Sequence, residues 1–317
     1  MGQKTEIRKK YKGIVFIIMS AFCFALMNVF VRAAGDVPFI QKSFFRNLAA
    51  AIFAACILIK DRIWFSGRKG NLGILVLRSS FGAMGMLCNF YAIDRLLLAD
   101  ASMLNKMSPF FAIIFSFFLL KERIRPIQAI AVIGAFIGSL FVIKPTVLGM
   151  SVFPSFIGLL GGLGAGAAYT FVRLLGERGE KGPFIVFFFS AFTCLLVTPY
   201  LLFHFYPMTG LQLGSLLLAG LAAAGGQFSI TAAYCYAPAR EISVYDYSQI
   251  IFSAAFGFVL FEQVPDAFSW LGYTVIIGSA VGMFLYNQRE DKKMLKEREE
   301  KDVGKEAETI KKEENLV

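Results

Sequence analysis

The amino-acid sequence predicts an all-α membrane protein in which ten transmembrane helices form two inverted repeats of five. Three observations predict this fold class. Of the 317 residues, 57% are hydrophobic and only 17% are charged, which lies far outside the average of soluble proteins. The chain contains ten apolar stretches close to the ~20 residues that a helix needs to cross a bilayer. Similar phrases also recur in the two halves of the chain, as a duplication would produce.

The ten spans are predicted to be helical, because backbone groups in lipid need hydrogen-bond partners within their own segment. The first span follows the basic residues 8–12, but it is too long for a signal peptide and lacks a cleavage site, so we expect it to be retained. In chain order the predicted spans cover residues 13–34, 38–59, 71–93, 97–120, 126–143, 151–172, 184–205, 211–236, 241–261 and 268–286.

Several short phrases carry the duplication. Residues 30–32 and 171–173 both read Phe-Val-Arg, and Pro-Phe-Ile follows in both copies. Farther on, Ser108 corresponds to Ser248 at an offset of 140 residues. Because each copy holds five spans, the second copy must enter the membrane in the opposite orientation, as in many secondary transporters. The predicted units are a first repeat at 1–143, a linker at 144–150, a second, inverted repeat at 151–286 and a charged cytoplasmic tail at 287–317.

Positive charge is concentrated in alternate connections. The connections at the opposite end contain only two basic residues, Arg95 and Lys144. By the positive-inside rule, this distribution predicts that both termini are cytoplasmic. The net charge of +10 is therefore a topology signal, and no basic surface domain exists that would bind nucleic acid. We call the two ends of the bundle the basic end and the neutral end. The basic connections are the N-terminus, residues 60–70, 121–126, 173–183 and 237–241, and the C-terminus.

Small residues in the sixth span mark a place where helices are predicted to pack closely. Gly158, Gly162 and Gly166 are four residues apart, so they share one helical face on which a neighbouring backbone can approach. The eighth span carries the pair Gly225-Gly226, which is expected to loosen or thin that helix.

Charged side chains inside apolar spans are the main functional candidates, because a charge at the bilayer centre costs ~2.5–3.5 kcal/mol on the insertion scale. Lys106 and Asp246 stand 140 residues apart, at equivalent positions of the two repeats. Such positions face each other near the midplane, where transporters bind substrate. The pair is either a fixed bridge that only orients helices or one that opens when a substrate or proton competes for it. Asp246, the only carboxylate well inside a predicted span, is also the proton-coupling candidate.

Four further cations lie in or near the ends of spans. Arg32 and Lys42 are expected to anchor at the interface by extending their head groups to water. Arg78 is close enough to the basic end to do likewise, but it also shares a polar helical face with Asn89. Arg46 is a buried charge that the sequence leaves without a specific role.

The predicted substrate-binding site gathers the intramembrane charges with polar residues that flank them or occupy other spans. Pro109 interrupts helix hydrogen bonding next to Lys106 and is expected to free a carbonyl near the site. The predicted set is Lys106, Asp246, Asn105, Arg78, Asn89, Tyr245, Gln249, Asn28, Tyr169, Gln227 and Tyr234.

No catalytic or metal-binding pattern is visible in the sequence. It contains nothing like a hydrolase triad, a phosphate loop or a metal-ligand cluster. The five cysteines lie within spans without close CxxC pairing, as small buried hydrophobic residues do. We therefore expect no enzyme activity, no cofactor and no metal.

Motifs in both halves point to a known family. Residues 77–82 read Leu-Arg-Ser-Ser-Phe-Gly, residues 99–102 read Ala-Asp-Ala-Ser, and residues 261–265 read Phe-Glu-Gln-Val-Pro. In this order, over residues 13–286, the chain resembles the EamA-type branch of the drug/metabolite transporter superfamily. The resemblance implies two inverted five-helix repeats around a central cavity, and secondary transport of amino acids, small metabolites or drugs, often outward. The sequence departs from the repeat at Gln249, which stands where the first half has Pro109.

The sequence thus predicts a secondary active transporter that exports small metabolites such as amino acids by alternating access around a midplane cavity. Cations outnumber carboxylates inside the spans, so an anionic or zwitterionic substrate is favoured. The predicted partners are a small-molecule substrate and the lipid bilayer, and the predicted location is a cell membrane, as a multi-pass protein of a bacterial inner membrane. A membrane-embedded enzyme acting on lipid-linked substrates, a passive channel and a scaffold are the alternative classes.

Overall fold

The computed structural model describes residues 2–62, 70–120, 126–143, 152–236, 243–286 and 288–290. These residues form helices joined by short connections, with no strand among them. Ten helical segments are long and apolar enough to cross a bilayer, which confirms the predicted number of spans. The predicted linker and most of the charged tail lie outside the described residues.

Most spans are single helices whose ends agree with the predicted ends to within a few residues. The first helix begins before the apolar stretch, so that its N-terminal part extends the first span at the basic end. The helices run Gly2–Ala33, Phe39–Lys60, Leu72–Arg95, Pro126–Ile143, Val152–Glu177, Gly182–Phe203 and Gly210–Tyr236, and the tenth span covers Ala267–Glu290.

The fourth and ninth spans are interrupted at equivalent positions of the sequence repeat. The fourth consists of two helices, Leu98–Asn105 and Ser108–Leu120. The ninth changes from a 3-10 helix, Ser243–Tyr247, to an α-helix, Ser248–Phe261. In the fourth span, Pro109 has no amide hydrogen and lies in the first turn of the second helix, where none is needed. The ninth span has no proline there, and its tighter 3-10 turn supplies the irregularity instead.

Contacts between spans follow the sequence repeat. The first span packs on the eighth and the third on the sixth, while the second packs on the seventh and the fourth on the ninth. The second span also contacts the eighth, and the third contacts the seventh. These contacts map onto one another when each span is exchanged with the span five positions away in the chain. The two halves are therefore interleaved, and the first, second, third and fourth spans each find their main neighbour in the other half.

Glycines allow the closest of these contacts, as the sequence predicted for the sixth span. A Cβ atom at Gly162 would lie 2.6 Å from the carbonyl oxygen of Leu104, and one at Gly166 would lie 2.7 Å from that of Ser108. On another side of the sixth span, Gly164 lies directly against Gly85 of the third span. The predicted glycine face of the sixth span is thus confirmed, and it packs against the interrupted part of the fourth span.

We predict that Gly162→Ala lowers the unfolding temperature of the purified protein. The new methyl group would collide with backbone of the fourth span, and overpacking of this kind costs ~1–3 kcal/mol. Gly214→Ala is the matched control, because a Cβ at this helical position of the eighth span meets no heavy atom within 4 Å. Thermal unfolding in detergent should separate the two variants, and an equal effect of both would contradict the role given to the close contact.

Candidate functional site

A polar cavity lies between eight of the ten spans, and both halves of the chain contribute to its wall. Its water-accessible volume is about 110 Å³. A water molecule needs ~10–15 Å³ of such volume, so the cavity has room for several waters or a small polar solute. Apolar walls come from Phe24, Met27, Met86, Phe90 and Phe189.

Most of the predicted site residues line this cavity. Those from the first half are Asn28, Arg78, Asn89, Asn105 and Lys106. Those from the second half are Tyr169, Gln227 and Gln249. The residues lie far apart in sequence, and the packing of the two halves against each other brings them to one place.

The structure pairs Lys106 with Asp246, as the repeat predicted. Lys106 Nζ donates to Asp246 Oδ2 at 2.5 Å, and the two side chains are 8% and 16% exposed. Both residues stand at the helix interruptions, where the regular backbone pattern stops. Tyr247 strengthens the junction, because its hydroxyl donates to the backbone carbonyl of Lys106 at 3.2 Å. The carbonyl freed near Pro109 is therefore used to join the fourth span to the ninth.

Asp246 keeps one carboxylate oxygen free. Its Oδ1 atom is buried and has no hydrogen-bond partner, while Oδ2 binds Lys106. Asp246 itself does not line the cavity wall, but it contacts the cavity through Lys106. The Tyr169 ring faces the cavity and is 43% exposed. It also interacts electrostatically with Asp246.

Of the predicted residues whose side chains the structure describes, Tyr245 falls outside this arrangement. Tyr245 does not line the cavity: it is 37% exposed and its ring packs edge-on against Phe284 of the tenth span. Because Tyr245 and Asp246 are adjacent in a 3-10 helix of three residues per turn, they point in different directions. The side chain of Tyr234 lies outside the described part of the chain.

Arg78 is a buried cavity residue, not an interfacial anchor. The residue is 6% exposed, and its guanidinium group stacks on the Phe189 ring at 4.1 Å from the ring centre. Its Nε and Nη1 atoms have no hydrogen-bond partner. Gly82 opens space beside it, because a Cβ there would lie 3.2 Å from Arg78 Nη1. The predicted polar face of the third span thus points into the cavity.

Arg46 also lines the cavity and was missed as a site residue. It is 5% exposed, and its Nη1 atom donates to Asn47 Oδ1 at 2.8 Å. Its Nε atom is buried without a partner. The signal that could have identified it is its place in the middle of the second span, too far from either end to reach water by extending its side chain.

The expectation that Lys42 extends its head group to water at the interface is wrong. Lys42 is fully buried and forms an ion pair with Asp94 at 2.5 Å, an arrangement that replaces water as the partner of its charge. Arg32 donates to the carbonyl oxygens of Ile93 and Leu96 at 3.0 and 2.6 Å. Both side chains therefore tie the first two spans to the end of the third.

Hydrogen bonds between spans of both halves close the bundle between the cavity and the neutral end. Ser102 and Ser253 share a hydrogen bond of 2.7 Å, and Asn28 donates to Ser102 at 3.3 Å. Nearer this end, the Leu98 amide donates to Gln263 Oε1 at 3.0 Å, and Tyr273 donates to buried Asp100 at 2.5 Å. Asp100 is a second buried carboxylate that the sequence analysis did not single out. We call this set of contacts the neutral-end seal.

Comparison with known proteins gives consistent matches. A model of the EamA-like transporter family matches residues 11–144. The pseudopaline exporter CntI of Pseudomonas aeruginosa is 31% identical, over 86% of this chain and 95% of its own length. The human solute carrier family 35 member G1 is 28% identical, over 85% and 78%. The riboflavin transporter of Brucella anthropi is 26% identical, over 87% and 98%.

A solved crystal structure has the same fold. It superposes with a TM-score of 0.65 over 87% of this chain and 98% of its own length. The sequence identity is 14%, so this likeness concerns the arrangement of helices alone.

We predict that the Lys106–Asp246 pair is energetically coupled. In a double-mutant cycle with Lys106→Met and Asp246→Asn, each single change leaves the other group buried without its partner. The double variant should therefore lose less unfolding free energy than the sum of the single variants, with a coupling of ~0.5–3 kcal/mol. Chemical unfolding in detergent micelles measures it. Strictly additive effects would mean that the two groups do not stabilise each other.

Proposed function

The chain belongs to the EamA-like transporter family of the drug/metabolite transporter superfamily, and we propose that it is a secondary active exporter of small metabolites such as amino acids. The observation that carries the proposal is the polar cavity whose wall is built by both halves and joined by Lys106 and Asp246. The chain is a multi-pass membrane protein with ten candidate spans. Its bacterial relative from Pseudomonas supports an inner-membrane location.

The proposed architecture is a pair of inverted repeats, 1–143 and 151–286, with both termini in the cytoplasm. The interleaved contacts of the two halves support it, since they are those expected around a two-fold axis in the membrane plane. The equivalent interruptions of the fourth and ninth spans support it as well. Discontinuous helices at the repeat interface are a common way for transporters to expose backbone and side-chain polar groups to a substrate.

The proposed mechanism is alternating access around the cavity. In the described conformation the neutral-end seal closes the path from the cavity to that end. The seal consists of a few hydrogen bonds between spans of opposite halves, and each contributes only ~0.5–1.5 kcal/mol net. Rocking of the halves can therefore exchange these hydrogen bonds for hydrogen bonds to water at a small net cost. The glycine contacts of the third, fourth and sixth spans provide smooth surfaces along which such rocking would occur.

The proposed substrate-binding residues are those that line the cavity, with Lys106 at the junction of the halves. Asp246 is the proposed proton-coupling residue, because its free oxygen and its bond to Lys106 let a proton or a substrate compete for the pair. The relatives are named for pseudopaline export and riboflavin transport, so substrates differ within the family. Export is the proposed direction because the Pseudomonas relative is named an exporter.

The alternative classes make different predictions. A membrane-embedded enzyme would require a cluster of catalytic groups, and the cavity offers instead an ion pair, amides and arginines. A passive channel would require a continuous path, which the neutral-end seal interrupts in this conformation. The family membership favours a carrier over both.

Counterflow in liposomes tests the transport proposal. Proteoliposomes loaded with a mixture of unlabelled amino acids should accumulate external radiolabelled substrate transiently and saturably, because a carrier exchanges solutes across the membrane. Lys106→Ala should reduce this exchange strongly, while Tyr245→Phe, which alters a residue outside the cavity, should not. Unsaturable flux proportional to concentration would instead indicate a channel.

Access to the cavity tests the role of the neutral-end seal. In a cysteine-free background, Ala168→Cys places a thiol on the cavity wall, where a membrane-impermeant maleimide should reach it slowly from the neutral end. Adding Tyr273→Phe removes the hydrogen bond to Asp100 and should speed that labelling several-fold. Tyr245→Phe is the matched control, since it deletes the same hydroxyl from a residue outside the seal. Equal labelling in all three backgrounds would show that these contacts do not close the path.

A further inference from the structure

The cavity carries more positive charge than the described residues neutralise. Three cations, Arg46, Arg78 and Lys106, line it, and Asp246 is paired with the last of them. Among the described residues, no carboxylate forms an ion pair with either arginine. All three cations belong to the first half. In the described part of the chain, two positive charges in the middle of the bundle therefore lack a carboxylate partner.

Unpaired charge at this depth is costly. A buried cation loses its hydration, and the low dielectric of the interior offers no compensation unless an anion approaches. The arginines also increase the cost for each other, since both guanidinium groups border the same small cavity. Three of their nitrogen atoms, Nε of both residues and Nη1 of Arg78, are buried without a hydrogen-bond partner. An anion in the cavity is the partner that both side chains can reach.

The two guanidinium groups are held in place by their surroundings. Arg78 lies on the ring of Phe189, and Arg46 is fixed by Asn47, which in turn donates to the Ser43 carbonyl at 2.8 Å. A guanidinium group is a planar donor whose geometry matches a carboxylate or phosphate through two parallel hydrogen bonds. Such preorganisation is typical of a binding site, because the side chains lose little freedom when the ligand binds.

The remaining unsatisfied atoms of the site are acceptors. The amide oxygens of Asn28 and Asn89 are buried without a donor. A ligand that satisfies the whole set therefore carries acidic groups for the arginines and a hydrogen-bond donor, such as an amine, for these oxygens. The adjoining Met and Phe side chains would contact its carbon skeleton.

We infer that the transported substrate is a small organic anion with two acidic groups and an amine, bound through its acids to Arg46 and Arg78. The inference rests on the proposed transport function and names the substrate class of that cavity. It makes the arginine pair the element that selects a diacid over a neutral amino acid, with Asn47 and Phe189 as positioning residues. The Lys106–Asp246 pair then stays available for coupling.

Binding to the purified protein in lipid nanodiscs tests the inference with three organic probes of similar size and one small inorganic anion. L-glutamate has two acids and an amine, L-glutamine lacks one acid, glutarate lacks the amine, and inorganic phosphate lacks a carbon skeleton. We expect calorimetric affinity to fall about tenfold from L-glutamate to L-glutamine, the change expected on losing a charged hydrogen-bonded pair. Glutarate should also bind more weakly than L-glutamate. Affinity for L-glutamine or phosphate equal to that for L-glutamate would overturn the inference.

Variants assign the binding to the arginine pair. Arg46→Gln and Arg78→Gln should each weaken L-glutamate binding about tenfold or more while leaving L-glutamine binding nearly unchanged. Arg95→Gln is the matched control, because Arg95 is exposed, stacks on Tyr91 and lies outside the cavity. Unfolding temperatures without ligand identify variants that fail to fold, and Arg78→Lys, which keeps the charge, then replaces Arg78→Gln. L-glutamate binding that survives both arginine changes in folded protein would overturn the assignment.

The same preparations separate failure of this inference from failure of the proposed function. Saturable counterflow of a neutral amino acid, with no preference for L-glutamate, would overturn the diacid assignment and leave the carrier intact. Absence of saturable counterflow for every solute, together with tight L-glutamate binding, would overturn the transport proposal and leave the diacid site intact.

Discussion

The ion pair between Lys106 and Asp246 connects the two halves of the bundle at the one level where the helices of both are interrupted. A charge inside a membrane protein is costly unless it finds a partner there, because lipid offers none. The repeat supplies that partner from the equivalent position of the other half. The hydroxyl of Tyr247 on the Lys106 carbonyl adds a second link at the same place. The cavity lies beside this junction, so its shape depends on the two halves remaining in contact through it.

Charge is distributed unequally around the cavity. The first half contributes Arg46, Arg78 and Lys106, whereas the second half contributes uncharged hydrogen-bonding groups and Asp246. A duplicated fold therefore holds an asymmetric site. The interruptions occur in both halves, whereas both arginines of the cavity lie in the first. This asymmetry gives a bound zwitterion or anion a preferred orientation.

Tight and loose contacts occupy different parts of the bundle. Glycines of the third and sixth spans let backbones touch, as at Gly85 and Gly164, and these contacts have no side chains to interlock. At the neutral end, by contrast, polar side chains join spans of opposite halves one hydrogen bond at a time. Buried Lys42 and its partner Asp94 hold the second and third spans together within one half. The two halves are thus joined both by close backbone contacts and by separable hydrogen bonds, at different places in the bundle.

The sequence by itself determined the number of helices, their approximate ends and the pairing of Lys106 with Asp246. The length of an apolar segment and the offset between repeated phrases can both be read from the chain. In lipid such segments form helices, because their backbone groups need hydrogen-bond partners within the segment. It also identified most cavity residues, because polar groups in apolar spans are rare. Tertiary structure alone decided which of the other buried charges are paired. Lys42 finds Asp94 on another span, whereas Arg46 and Arg78 find no carboxylate among the described residues. The direction in which each side chain points was also visible only in the structure. In the 3-10 helix, Tyr245 points away from the cavity, whereas its neighbour Asp246 binds the cavity residue Lys106. Which side chains come into contact depends on the rotation of each helix and on contacts between distant spans. Residue spacing along the chain specifies neither the rotation nor these contacts.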